Sequence, residues 1–179
     1  MRGGLGRRVE RITVYIAEDH PVYMDGIARA IKSRADFELV GQANDGREAL
    51  DQIRELAPDV AVLDQRLPSL DGVEILTAIQ RESLSTRVVM LSADDSSALV
   101  YDAVRLGVGA FLTKDARRSA ICDAVAAVAR GNTVLAPEIQ AGLAGELQTR
   151  ERNDRPRLSE REHEVLRMIA EGLSAPDIA

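Results

Sequence analysis

The chain has 179 residues, 45% hydrophobic and 29% charged, which suits a globular protein with one good-sized domain and part of a second. A formal net charge of −6 argues against a broad nucleic-acid footprint, and three tyrosines and two phenylalanines make no aromatic platform for stacking bases. No apolar run is long enough to span a membrane, and the opening MRGGLGRRVER lacks the apolar region of a signal peptide; residues 1–9 are therefore expected to be a disordered leader and the protein to be cytoplasmic.

Short apolar runs then alternate with helical patterns. The runs are ITVYIA (12–17), FELVGQA (37–43), VAVLD (60–64), RVVMLS (87–92) and GAFLTK (109–114). Most are continuous rather than alternating, as in strands buried on both faces. Amphipathic stretches lie near 21–34, 45–56, 71–82, 95–106 and 115–130, with Pro21 suited to a helix first turn and Gly107 and Gly131 where helices should stop. The single cysteine, Cys122, falls in an alanine-rich helical stretch and is read as packing. Five strand–helix units predict an α/β, doubly wound, five-stranded parallel sheet in the order 2-1-3-4-5.

After Gly131 the pattern changes. VLAPEIQAGLAGEL (134–147) reads as one more helix, and the polar, proline-containing QTRERNDRPR (148–157) as a linker. The stretch 158–179 resumes a helical pattern, with Ser159 and Glu162 at capping-box spacing and an apolar face through Val165, Leu166, Ile169, Ala170 and Leu173.

The polar residues in the first 130 positions are placed in a pattern. Glu18 and Asp19 follow the first strand, Asp64 ends the third, Ser92 the fourth and Lys114 the fifth. In an open α/β sheet ligands bind outside the carboxyl ends of the strands, where strand order reverses. The predicted order makes strands one and three neighbours at that point, so Glu18, Asp19 and Asp64 should converge. Three carboxylates in one cleft call for a cation, and oxygen-only ligation favours a hard ion such as Mg²⁺. Lys114 adds a point charge suited to a phosphoryl oxygen, and the Ser92 hydroxyl a hydrogen-bond donor. Acidic residues after strands also serve as helix N-caps, but that accounts for one carboxylate and not for the set. His20, beside the acidic pair, is read as bordering the cleft rather than as a metal ligand.

The segments EDH, VLDQRLPSLDG, VVMLSA and GAFLTKDA together resemble the receiver domain of bacterial response regulators, over about residues 10–131. The resemblance implies a flavodoxin-like fold in which Asp64 accepts phosphate from a sensor histidine kinase. It implies that Asp19, Asp64 and the backbone carbonyl of Arg66 bind Mg²⁺, with Glu18 acting through water. Lys114 would contact the phosphoryl group, Ser92 would swing toward it, and Phe111 would repack inward in the active state. Arg66 and Asp94 would pair across the cleft mouth, and a homodimer would form on phosphorylation. Gln65, Ser92 and Phe111 depart from the residues commonest at these places, without removing a required group.

The stretch LSEREHEVLRMIAEGLSAPDIA (158–179) resembles the opening of a NarL/LuxR-type helix-turn-helix domain. Together the two resemblances suggest a two-component transcription regulator. The recognition helix would lie beyond Ala179, so no DNA-contacting residue is expected in this chain, and DNA would be bound only through the complete output domain. Two competing readings are a Mg²⁺-dependent phosphatase with Asp64 as nucleophile and a module that never takes phosphate. The first would need an acid at position 66, where Arg66 stands; the intact Asp64 and Lys114 speak against the second.

Overall fold

The computed structural model describes residues 11–93, 96–135, 139–140 and 167. The expected leader, Asp94, the linker and, apart from the helical Arg167, the 158–179 stretch lie outside the described residues.

Among the described residues up to Leu135, six strands and five helices alternate: β1 (Ile12–Ala17), α1 (Pro21–Lys32), β2 (Phe37–Ala43), α2 (Gly46–Leu56), β3 (Val60–Asp64), α3 (Gly72–Arg81), β4 (Arg87–Ser92), α4 (Ser97–Arg105), β5 (Ala110–Thr113), α5 (Arg118–Ala129) and β6 (Val134–Leu135). All strands pair in parallel, in the order β2-β1-β3-β4-β5-β6.

Side-chain alternation along the central strands builds two cores. Val14, Ile16, Val60, Val62, Val89, Leu91, Ala110 and Leu112 face α1 and α5, where Ile27, Ile31, Ile121 and Val125 complete the layer. Tyr15, Ala61, Leu63, Val88, Met90 and Phe111 face α2, α3 and α4, packing on Ile53, Leu76, Ile79 and Val104. Because both faces are covered, the strands read as continuous apolar runs. Cys122 is a free, buried thiol in the first of these cores, as expected.

The helix signals in the sequence act where they were placed. Pro21 occupies the first turn of α1, and Asp45 caps α2 by accepting from the Arg47 and Glu48 amides. Asp71 and Glu74 form a reciprocal capping box on α3. Gly107 (φ 79°) and Gly131 (φ 89°) take the left-handed conformation that ends α4 and α5.

The sheet has one strand more than expected. Val134 and Leu135 pair with Ala110 and Phe111 as β6, and the next described residues, Ile139 and Gln140, are helical. The rest of the expected 134–147 helix lies outside the described residues. The physical reason for the difference is the open edge of β5: Val134 donates its amide to the Gly109 carbonyl, which would otherwise lack a ladder partner. Leu135 and Ile139 bury beside Phe111. Pro137 carried the signal, since a proline disfavours the helical conformation in the residue before it.

The turn after β3 sets the height of Asp64. Gln65 donates to the Leu91 carbonyl (2.8 Å), and Gly72 donates to the Gln65 carbonyl (2.9 Å), folding α3 back over the strand end. A Cβ on Gly72 would lie 2.6 Å from the Asp64 carbonyl oxygen and 2.7 Å from Met90 Sδ. Gly72→Ala is therefore expected to lower the unfolding free energy by about 1–3 kcal/mol in urea denaturation. A variant as stable as the parent would show that the turn yields freely.

Candidate functional site

Parallel strands end together, so the residues that follow β1, β3, β4 and β5 meet at one edge of the sheet. Glu18 is tied there by its amide to the Ala43 carbonyl (3.0 Å), and Asp64 is the last residue of β3. Both are almost fully enclosed, at 1% and 2% exposure. Asp19, with its side chain 34% exposed, stands nearer the solvent.

Lys114 closes the arrangement. Its Nζ donates to Glu18 Oε1 (2.9 Å) and to Asp64 Oδ2 (2.8 Å). The other Asp64 oxygen, Oδ1, accepts from the Arg66 amide at 3.1 Å. The lysine is held by its own backbone, which donates to the Ser92 carbonyl (2.8 Å), and by the Tyr23 hydroxyl, which donates to the Lys114 carbonyl (3.0 Å). The ammonium also lies 5.1 Å from the centroid of the Tyr23 ring.

These contacts pull the proton equilibria in opposite directions. Burial pushes the Asp64 carboxyl above its ordinary value, against the hydrogen bonds from Lys114 and the Arg66 amide. For Lys114, burial alone would lower the ammonium, but the hydrogen bonds to Asp64 and Glu18 outweigh it and hold it above its ordinary value. For both groups the mutual contact opposes what burial alone would do.

Not every carboxylate oxygen is served. Among the described residues, Glu18 Oε2 and Asp19 Oδ1 are buried oxygens that accept no hydrogen bond. Ligand atoms of Glu18, Asp19, His20 and Asp64 all lie within 4.8 Å of one another. Buried acceptors without donors are costly, and a cation is the partner that several of them can share. A predominantly oxygen donor set with charged carboxylates suits a hard ion such as Mg²⁺.

The predicted residues are distributed in three ways. Glu18, Asp19, Asp64 and Lys114 come together as expected. Ser92 is fully buried at the end of β4, paired in register with Thr113, at the same edge of the sheet. Phe111 is elsewhere: its ring is fully enclosed in the core beneath α4, three residues before Lys114 on β5. It already has the inward position that the sequence reading reserved for the active state. The Arg66–Asp94 pair falls on a residue outside the described set.

Two contributors were not foreseen. Tyr23 braces Lys114, and its only sequence signal is an aromatic residue in the first turn of the helix after EDHP. His20 is more than a border: its ring nitrogen Nδ1 lies 3.0 Å from Glu18 Oε1 and 2.7 Å from Asp19 Oδ1, the latter without the alignment of a hydrogen bond. The hydrogen bond to Glu18, then the charge of Asp19, raises the imidazole above its ordinary value.

The receiver domain of response regulators matches residues 14–126, which include this acidic cleft and its lysine. The chain belongs to the response regulator receiver family. A probable transcriptional regulatory protein, NarL, of Mycobacterium tuberculosis is 43% identical over 170 residues, covering 95% of this chain and 79% of the relative. The solved signal receiver domain of the response regulator NarL from Mycobacterium tuberculosis is 40% identical, with a TM-score of 0.67, and covers 68% of this chain and 98% of that one. A LuxR-family two-component response regulator from an Aurantimonas species is 27% identical, with a TM-score of 0.71, covering 76% of this chain and 97% of that one. The matched receiver segment ends at 126, so β6 lies just past it. No helix among the described residues is long and apolar enough to cross a membrane.

Removing the shared cation of this receiver site should expose the repulsion it suppresses. Lys114→Met leaves two enclosed carboxylates without their ammonium and is expected to cost about 3 kcal/mol of stability in metal-free buffer. Asp19→Asn removes one of the crowded charges and should raise the melting temperature. Equal melting of Lys114→Met and the parent would mean that the ammonium is not what holds the carboxylates together.

Proposed function

We propose that this chain is the phosphoacceptor part of a two-component transcription regulator, with residues 10–131 as its receiver. Asp64 takes a phosphoryl group from a phosphohistidine of a sensor histidine kinase. The observation that carries this reading is the position of Asp64: one oxygen against Lys114, the other against the Arg66 amide, beside buried carboxylate oxygens of Glu18 and Asp19 that accept no hydrogen bond.

In the transfer, a carboxylate oxygen of Asp64 forms the new P–O bond as the P–N bond of the donor breaks, and the imidazole leaves with the bonding pair. Asp19, Asp64 and the backbone carbonyl of Arg66 would hold Mg²⁺, with Glu18 acting through water; the ion supplies positive charge against the phosphoryl oxygens. Lys114 is already hydrogen-bonded to the attacking carboxylate, so it needs little movement to follow the charge onto the phosphoryl group. Ser92, at the end of the neighbouring strand, donates its hydroxyl to a phosphoryl oxygen. The chain acts on its own aspartyl phosphate and on no other substrate. A Mg²⁺-dependent phosphatase would need an acid two residues past its nucleophile, where Arg66 stands.

The output is dimerisation and transcription control. Phosphate at Asp64 can shift an equilibrium only by stabilising one state more than the other. Phe111, enclosed in the core, would belong to the state that phosphorylation favours. Residues 132–157 would connect the receiver to a helix-turn-helix domain that opens within 158–179, and DNA would be contacted only through that complete domain. The protein would act in the cytoplasm.

Intact-mass measurement after treatment with a small phosphodonor tests the chemistry. One phosphate should appear with Mg²⁺, none without it, and none in Asp64→Asn under either condition; a phosphate on Asp64→Asn would refute the assignment. Sedimentation of phosphorylated Ser92→Ala tests the relay. It should take up phosphate yet dimerise less than the parent, and parental dimerisation would remove Ser92 from the coupling.

A further inference from the structure

Glu18 has two oxygens with opposite surroundings. Oε1 receives three donors: the His20 amide (3.0 Å), His20 Nδ1 (3.0 Å) and Lys114 Nζ (2.9 Å). Oε2, equally enclosed, receives none. A carboxylate anchored by one oxygen has its other oxygen aimed by the same contacts. Because a carboxylate can only accept, the His20 nitrogen facing it carries the proton.

Two of the three donors come from His20, and they differ in kind. The amide belongs to the backbone at the start of α1 and survives any substitution except proline. The ring is 71% exposed and makes no cap bond to the helix, so what holds it in place is its contact with two carboxylates, a hydrogen bond to Glu18 Oε1 and the charge of Asp19 2.7 Å away. The third donor, Lys114, is shared with Asp64. An acyl phosphate at Asp64 would bring further oxygens within reach of that ammonium, and any shift toward them withdraws a donor from Glu18. His20 reaches Glu18 independently of Lys114, so its contact does not require the ammonium to stay where it is.

We infer that His20 is a positioning residue for divalent-ion binding: its Nδ1–H fixes Glu18 Oε1, so that Oε2 faces the ion or its water shell when Lys114 is drawn away. This inference rests on the receiver reading of the site. It assigns to His20 a role through Glu18, not direct ligation. Partners that orient metal-binding carboxylates contribute on the order of 10–100-fold in metal affinity.

The test uses the full chain and Mn²⁺ alone as a hard divalent probe, titrated by electron paramagnetic resonance. His20→Asn keeps an N–H near the position of Nδ1, whereas His20→Ala removes it. The parent should bind Mn²⁺, His20→Ala should bind about tenfold more weakly, and His20→Asn should stay within about threefold of the parent, a pattern that simple loss of ring packing would not produce. Thermal melting of the metal-free proteins should be alike, because the ring is mostly solvent-exposed. Parental or tighter binding by His20→Ala would overturn the inference and make the ring a competitor for the carboxylates. Equal weakening in His20→Asn would overturn the hydrogen-bond role. No Mn²⁺ binding by the parent would instead remove the metal reading of the cleft itself, and the inference with it.

Discussion

The ammonium of Lys114 is the contact on which the site depends. It stands between Glu18 Oε1 and Asp64 Oδ2, two enclosed carboxylates that would otherwise repel each other. An ion pair at this depth gains strength from the low local dielectric, but only if both charges are held in place. The fold holds them with backbone. Glu18 is pinned to β2, the Asp64 turn to β4, and Lys114 to Ser92 and, through Tyr23, to α1. Five strands and one helix thus converge on a single cation.

The same arrangement links the cleft to the core. Lys114 follows β5, and three residues earlier on that strand Phe111 packs among the residues of α4 and β6. Phe111 and Lys114 are separated by backbone that is hydrogen-bonded to β4, so neither moves without consequence for the other. β6 adds a second layer to this connection. It pairs Leu135 with Phe111 in register and buries Ile139 beside them, joining the stretch after α5 to the ring. Packed interiors transmit small displacements because they lack space to absorb them.

Stability and function place different demands on the acidic residues. The capping aspartates, Asp45 and Asp71, accept hydrogen bonds from helix amides and have their partners within the chain. Glu18 and Asp19 are served only in part: each keeps a buried oxygen that accepts no hydrogen bond. A protein selected for stability alone would fill or remove such acceptors. Their persistence at the carboxyl end of the sheet is the physical mark that separates a binding carboxylate from a capping one.

Much of this was legible in the sequence, for a definite reason. A parallel sheet covered on both faces needs continuous apolar strands, and those runs stand out against amphipathic helices, so β1 to β5 and α1 to α5 fall where pattern places them. Strand ends are then known, and with them the residues that reach one edge: Glu18, Asp19, Asp64, Ser92 and Lys114. The pattern failed at Val134 and Leu135, because two apolar residues carry no period and pairing with β5 is a matter of which edge is open. Tertiary structure alone decided the rest. Glu18 and Lys114 are 96 residues apart, and no local rule says which oxygen the ammonium meets, which is left bare, or that the rings of His20 and Tyr23 turn toward them. Local sequence determines where a side chain leaves the backbone; the contacts it makes depend on elements brought beside it by the whole sheet.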